Sequence, residues 1–248
     1  MKIALIGYGK MGRMIDEMSE RAGVQVVARI DPNTPDAEYQ EVNAHSLREA
    51  EVAICFTNPD SALKNIEAVL AAGKDLVMGT TGWTEHKDRV AEMVKDANLG
   101  MVYSSNFSIG VNLFFHIVAE AAKVMNHFDM YDVMGLEAHH RQKHDSPSGT
   151  AVTLGELLLE HLDRKSILAT QRLDRQPEHG ELHFASIRGG HVPGTHSVWF
   201  DSEFDQIELT HRARTRGGFA SGALVAAQWI KGKKGFFTER EMMARLLG

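Results

Sequence analysis

In its first half the chain alternates short apolar runs, rich in β-branched residues, with longer stretches whose apolar positions recur at helical spacing. Runs 2–6, 24–30, 52–56, 75–78 and 99–104 read as strands, and stretches 10–22, 60–72 and 85–97 as helices. Strand and helix taking turns in this way predicts parallel strands joined by crossover helices, a doubly wound parallel sheet of the α/β class. The stretch between Asp31 and Val52 is short for a complete strand-helix-strand crossover, so the pattern does not place that edge of the sheet.

After Ser105 the rhythm changes. A long apolar-rich stretch, 109–125, predicts a helix, and 182–188, 196–201 and 206–212 read as strands that follow one another with short links. Sequential strands of this kind predict a mixed or mostly antiparallel sheet in a second, α+β domain. Stretches 218–230 and 239–247 are helical in pattern and can return to either domain. No internal repeat or low-complexity tract interrupts the chain.

With 248 residues, 43% of them hydrophobic, the chain can fill the core of one large domain or two modest ones. Its formal net charge of −6 argues against a nucleic-acid partner, which would require a concentrated basic face. The one cysteine, Cys55, sits inside an apolar run and reads as a buried small hydrophobe, so there is no disulfide framework and a reducing cytosol suits the chain. The opening residues show no cationic leader with a long apolar run, and no apolar run approaches membrane-spanning length. A cytoplasmic protein with no membrane partner is expected.

Gly7-Tyr8-Gly9-Lys10-Met11-Gly12 fits G-x-G-x-x-G directly after a predicted strand and at the opening of a predicted helix. In that context the first glycine permits a tight turn, the second lets backbone approach a pyrophosphate, and the third allows close packing of helix on strand. Asp31 ends the second strand roughly 20 residues on, where an acid holds the adenosine ribose hydroxyls. This half is therefore Rossmann-like and expected to hold NADH or NADPH. Pro32-Asn33 follows Asp31, with no arginine there, so NADH is expected to serve at least as well as NADPH. Lys10, at the helix start, is a cation able to soften the repulsion of a 2′-phosphate. Gly79-Thr80-Thr81-Gly82 follows another predicted strand and falls on the same ligand-binding edge.

Between Glu137 and Thr150 the chain concentrates proton-transfer groups, a cation and a helix-start signal. His139, His140 and Lys143 can donate protons or bind anions, and Asp145, Ser146 or Ser148 can cap a helix predicted over 151–159. That start would leave backbone N–H groups of the Ser148-Gly149-Thr150 turn to hold a carboxylate or phosphate. A metal reading of His139, His140, His144 and Asp145 is weak: no His-Glu-x-x-His element occurs, and it would leave Lys143 and the turn without a purpose.

With both segments in hand, the chain resembles the 4-hydroxy-tetrahydrodipicolinate reductase (dihydrodipicolinate reductase) family of bacterial lysine and diaminopimelate biosynthesis, over nearly its whole length. The most specific match is His139-His140-x-x-Lys143-x-Asp145-x-Pro147-Ser148-Gly149-Thr150. Phe56-Thr57-x-Pro59, Gly79-Thr80-Thr81-Gly82, Asn106-Phe107-Ser108-x-Gly110-Val111-Asn112 and Arg188-Gly189-Gly190-x-Val192-Pro193-Gly194-x-His196 support it. The resemblance implies a dinucleotide-binding domain of residues 1–107 and 216–248, a substrate-binding and tetramerisation domain of 108–215, and a homotetramer. It implies His139 as the acid–base residue and Lys143 as a proton donor, with His140, Ser148, Gly149 and Thr150 on the carboxylates of a small cyclic dicarboxylate. Cofactor contacts carry over to Gly7, Tyr8, Gly9, Lys10, Met11, Gly12, Asp31, Gly79, Thr80, Thr81, Ser104, Ser105, Asn106 and Phe107. Two departures are visible: the family's glycine loop is often one residue longer and ends in Arg-Met-Gly, and Ser146 replaces a common alanine.

The implied reaction adds a nicotinamide hydride to C4 of an unsaturated ring and leaves an enamine-like carbanion to be protonated at C3. An imidazole titrates near neutrality whereas an ordinary lysine titrates at ~10.4, which favours His139 for the proton and Lys143 for a carboxylate or developing charge. Two other functions fit the same motifs. A related two-domain NAD(P)-dependent dehydrogenase would turn over without dihydrodipicolinate, and a non-catalytic dinucleotide sensor would ignore pyridine-2,6-dicarboxylate.

Overall fold

The computed structural model describes residues 1–248, which form two compact units, Met1–Ile109 with Gly217–Gly248, and Gly110–Arg216. The first is built on β1 (Lys2–Ile6), β2 (Gln25–Ile30), β3 (Val52–Cys55), β4 (Asp75–Met78), β5 (Gly100–Tyr103) and β11 (Gly235–Thr238), all parallel, in the order β11-β5-β4-β3-β1-β2. Every residue of β3 and β4 is buried, as a strand covered on both faces requires. Its helices are α1 (Lys10–Ser19), α2 (Pro59–Ala71), α3 (Lys87–Asp96), α6 (Gly217–Ile230) and α7 (Glu239–Leu247). Local chemistry starts two of them. Asn58 accepts the Ser61 N–H at 3.0 Å ahead of Pro59, and Thr238 with Glu241 forms a capping box.

The helix expected over 10–22 ends at Ser19: residues Glu20–Ala22 tighten into a 3₁₀ turn that closes on Gly23, whose φ of +67° stops the helix. No helix crosses from β2 to β3. Turns do so instead, and Tyr39 bridges back to Ile30, donating its N–H to Arg29 O at 3.1 Å and accepting that of Asp31 at 2.9 Å.

The second unit carries β6 (Asp132–His139), β7 (Ile167–Ala169), β8 (Glu181–Arg188), β9 (Thr195–Asp201) and β10 (Gln206–Arg212), in the order β10-β9-β6-β8-β7. The sheet is mixed, because β6 runs parallel to β8 and antiparallel to β9. Helices α4 (Ile109–Met125) and α5 (Gly149–His161) cover one face, packing Phe114, Val118, Leu154 and Leu158 against Val133, Phe184, Val198 and Phe200. Strands β6, β7 and β11 lie outside the sequence-based expectation. In β6 the buried positions are Val133, Gly135, Glu137 and His139, so polar residues on the inward face hide the strand's alternation. No helix is long and apolar enough to cross a membrane.

Candidate active site

The loop after β1 behaves as its glycines require. Gly7 takes a φ of +89° and donates its N–H to Ile30 O at 2.8 Å. A Cβ there would lie 2.0 Å from the Phe56 carbonyl oxygen, and one at Gly12 would lie 2.2 Å from the Gly7 carbonyl oxygen. Gly9 differs, with nothing within 4 Å of where a Cβ would stand, so backbone is open there to a diphosphate. Helix α1 starts without a side-chain cap, and its first backbone bond runs from Arg13 N to Gly9 O, leaving the N–H groups of Lys10, Met11 and Gly12 outside the ladder.

Asp31 sits at the end of β2 with its carboxylate pinned: one oxygen accepts the Tyr8 N–H and the other the Asn33 N–H, each at 2.8 Å. Each oxygen keeps a further lone pair. Arg29 is already engaged by Asp16 at 2.6 Å and Glu38 at 2.9 Å, whereas Arg13 pairs with Asp36 only at the exposed surface and stacks on the Tyr8 ring. Lys10 is exposed and forms no ion pair.

Several residues singled out as cofactor contacts spend their side chains on structure. The Tyr8 hydroxyl donates to Asp16 at 2.5 Å. Thr80 is buried, its hydroxyl accepting the Thr57 N–H at 2.8 Å and its carbonyl the Trp83 indole N–H at 2.7 Å. Ser104 is buried and accepts the Asn106 N–H at 2.8 Å, and Phe107 packs edge-on against Phe56. Thr81 and Ser105 are exposed, and Gly79 and Asn106 half-buried.

In the second unit the end of β6 builds a buried polar cluster. Glu137 and His139, two apart on a strand, share its inward face, and Glu137 lies opposite His196 in the β6/β9 register. Glu137 is fully buried. One carboxylate oxygen contacts His139 Nδ1; the other accepts Arg188 Nη2 at 2.7 Å and the Ser148 N–H at 3.2 Å. Burial pushes the Glu137 carboxyl up, but hydrogen bonds from Arg188 and His139 outweigh it, and the group ends below the usual carboxylate range. Burial pushes His139 down; Glu137 pushes it back up, Lys143 and Arg188 push it down again, and it ends below the ordinary imidazole value.

His196 stands edge-on to His139 with ring centroids 5.1 Å apart, and its Nε2 lies 3.1 Å from Ser148 Oγ. Burial and the neighbouring His139 push it down to about 4, so it is neutral in neutral solution. Ser148 caps α5, its hydroxyl accepting the Ala151 N–H at 3.2 Å, which decides among the three capping candidates. The anion-holding turn needs a correction: the Ser148 N–H is taken by Glu137, so the open donors are those of Gly149 and Thr150.

Lys143 forms an ion pair with Asp145 at 2.8 Å on the loop after β6, and Arg188 donates to the Asp145 carbonyl at 2.7 Å. His140 is half-buried, donates its N–H to Val192 O at 2.8 Å, and keeps Nδ1 buried without a partner. His144 and Asp145 are exposed and are not gathered with His139 and His140. The donors that do converge are those of Glu137, His139 and His196, but the carboxylate is already bonded to Arg188, Ser148 and His139, and a neighbouring guanidinium opposes a cation. Sequence reasoning gave no role to Glu137 or His196. The i, i+2 spacing from His139 could have marked Glu137, whereas His196 joins only through cross-strand register.

The family model described as dihydrodipicolinate reductase, N-terminus, matches residues 1–107, and the one described as dihydrodipicolinate reductase, C-terminus, matches 110–243. The chain belongs to the dihydrodipicolinate reductase family. It is 41% identical over 246 residues to the 4-hydroxy-tetrahydrodipicolinate reductase of Christiangramia forsetii, covering 99% of both chains. It is 39% identical over 256 residues to the enzyme of that name from Archaeoglobus fulgidus, covering 96% of this chain and 98% of the relative. The family's fold is matched by the dipicolinate-bound dihydrodipicolinate reductase of a Paenisporosarcina species, with a TM-score of 0.76 and 24% identity over 96% of this chain and 97% of that one. An amine dehydrogenase from Mycobacterium smegmatis shares the architecture more distantly, with a TM-score of 0.64 and 13% identity over 97% of this chain and 95% of the other.

Proposed function

We propose that this oxidoreductase reduces dihydrodipicolinate, formed from 4-hydroxy-tetrahydrodipicolinate, to tetrahydrodipicolinate in lysine and diaminopimelate biosynthesis. Family membership over both halves of the chain supports the reaction, and the cluster at the end of β6 supports the chemistry. A bound NADH or NADPH supplies the hydride. The residues of this chain then have three tasks: to hold the dinucleotide, to hold two carboxylates, and to deliver one proton to the ring carbon beside the reduced position.

For the first task, the open backbone at Gly9, the unladdered N–H groups of Lys10 to Gly12 and the pinned Asp31 carboxylate suit a diphosphate and a ribose diol. Gly79 to Thr81 and the Ser104 to Phe107 segment complete this reading, mostly through backbone and the exposed Thr81 and Ser105. NADH serves at least as well as NADPH, because the Asp31 carboxylate repels a 2′-phosphate while Arg13 and Lys10 soften that repulsion.

For the second task, the open N–H groups of Gly149 and Thr150, with His140 and Lys143, receive the carboxylates of the small cyclic substrate. For the third, His139 donates the proton from Nε2. Its lowered affinity for a proton in the free protein is reversed when a dianionic ring binds beside it, since nearby negative charge favours imidazolium. Lys143 stabilises the charge that develops on the ring.

The assembly is a homotetramer formed through the outer face of the mixed sheet. Met134, Leu136 and Ala138 on β6 align there with Ala185 and Ile187 on β8 and Trp199 on β9, and Met134 and Ile187 are 39% and 52% exposed. His183 on β8 and Thr195 and Ser197 on β9 share that mixed face, and its exposed apolar side chains fit a partner surface better than water. The cytoplasm suits the chain's single buried cysteine. Supplying purified protein with dihydrodipicolinate, generated by the synthase that makes its precursor, and following NADH loss tests the function. Substrate-dependent oxidation is expected, and binding of the dinucleotide without turnover would favour a sensor.

A further inference from the structure

We propose that Glu137 is a positioning residue that fixes His139 with Nδ1 toward its carboxylate and Nε2 toward the substrate, and that it ties the same carboxylate to the start of the anion-binding turn at Ser148. This rests on the reading of His139 as the proton donor. It adds a group to that site which neither the motif nor the resemblance assigns.

The geometry is closed on every side of the carboxylate. His139 Nδ1 takes one oxygen, and the other accepts Arg188 Nη2 at 2.7 Å and the Ser148 N–H at 3.2 Å. A residue that only filled space here would be apolar, since a fully buried carboxylate without partners is strongly destabilising. With Nδ1 held, the proton of a neutral His139 is confined to that nitrogen, and Nε2 is the atom left to exchange protons with a ligand. Nε2 faces Gly194, where a Cβ would stand 3.0 Å away. On the far side, Ser148 begins α5 and joins His196 through its hydroxyl. One carboxylate therefore sets both the ring that gives the proton and the turn whose next two N–H groups face an anion.

The charged and titratable groups around the His139 ring are Glu137 on its own strand, Lys143 on the following loop, Arg188 on β8 and His196 on β9. Burial, Lys143 and Arg188 all favour the neutral ring, and Glu137 opposes them. Removing its charge alone lowers the proton affinity of His139.

The test combines the ring itself with the rate. In ¹⁵N-histidine NMR spectra of the whole protein, neutral His139 is expected to carry its proton on Nδ1. In Glu137→Gln the ring should titrate at lower pH, and the alkaline limb of the kcat/KM profile should move the same way. The rate on that limb should fall about tenfold for every whole pH step by which the limb moves. Glu137→Asp should restore the position of the limb in part. A wild-type His139 that carries its neutral proton on Nε2 overturns the proposal without any variant. An unmoved titration in Glu137→Gln, with activity lowered equally at every pH, overturns it as well. Near-normal turnover in His139→Ala would instead remove the proton-donor reading, and the NMR result would still decide whether Glu137 sets the ring.

Discussion

Gly194 stands against the Nε2 edge of the His139 ring: a Cβ placed on it would lie 3.0 Å from Nε2. The loop between β8 and β9 is itself fixed to the site, because His140 donates to Val192 O at 2.8 Å and Gly189 to His139 O at 2.9 Å. The loop cannot simply retreat from a new methyl group. Gly194→Ala is expected to lower kcat by about tenfold to a hundredfold, since misplacing a reacting group by about 1 Å costs about a hundredfold. Dinucleotide affinity should change little, while the melting midpoint should fall, because Gly194 has a φ of +156°, a backbone conformation that an L side chain rarely adopts. Steady-state kinetics with a thermal scan check this, and unchanged turnover would mean that Nε2 is not the atom that meets the substrate.

The proposed cofactor preference rests on Asp31. Its carboxylate is held by two backbone N–H groups at 2.8 Å, so it cannot rotate away from a 2′-phosphate. Asp31→Ala should weaken NADH and improve NADPH relative to it, and Arg13→Ala should act mainly on NADPH. The comparison is kcat/KM for both cofactors in each protein. A wild-type preference for NADPH above about tenfold, roughly 1.4 kcal/mol, would contradict the role given to Asp31.

His196 makes the fold sensitive to acid. It is 4% exposed and its folded-state value is pushed down to about 4, whereas an unfolded histidine titrates at ~6.5. Between those values the unfolded chain binds the extra proton, so stability is complete above the unfolded value and falls as pH drops through the window. The linkage is on the order of 3 kcal/mol at its limit. Urea midpoints from neutral to acidic pH should fall for the wild type, and more gently for His196→Gln. Equal slopes in the two proteins would show that His196 protonates as easily folded as unfolded.

The outer face of the mixed sheet is expected to carry the oligomer. Ile187→Glu puts a charge where 52% of an isoleucine is exposed, and it should split the assembly with little effect on secondary structure. Sedimentation velocity reads the result. A wild type that sediments as a monomer removes the assembly proposal.

The sequence announced the parts whose physics is local. The glycine loop, the length of α4 and the alternation of β1, α1 and β2 follow from sterics and periodicity within a few residues of each other. The site was legible only in pieces. His139, Lys143 and the Ser148 turn lie within one segment, but β6 was invisible because its inward positions include Gly135, Glu137 and His139. His196 comes from a strand far along the chain, and only the pairing of Glu137 with His196 across β6 and β9 brings it in. The turn's first N–H was assigned to a ligand on local grounds, and a buried acid on a neighbouring strand took it instead.

His139 is proposed to give the proton that completes the reduction, and the residues proposed to hold the dinucleotide lie in the other compact unit of the chain. The most direct test measures kcat with dihydrodipicolinate and the dissociation constant of NADH in the same preparations of wild type, His139→Ala and Lys143→Ala. A loss of kcat of roughly 10²- to 10⁴-fold in His139→Ala, a strong loss in Lys143→Ala and NADH affinity within about twofold in both are the expected results. Near-normal turnover in His139→Ala, or a loss of activity matched by an equal loss of NADH binding, would contradict the account.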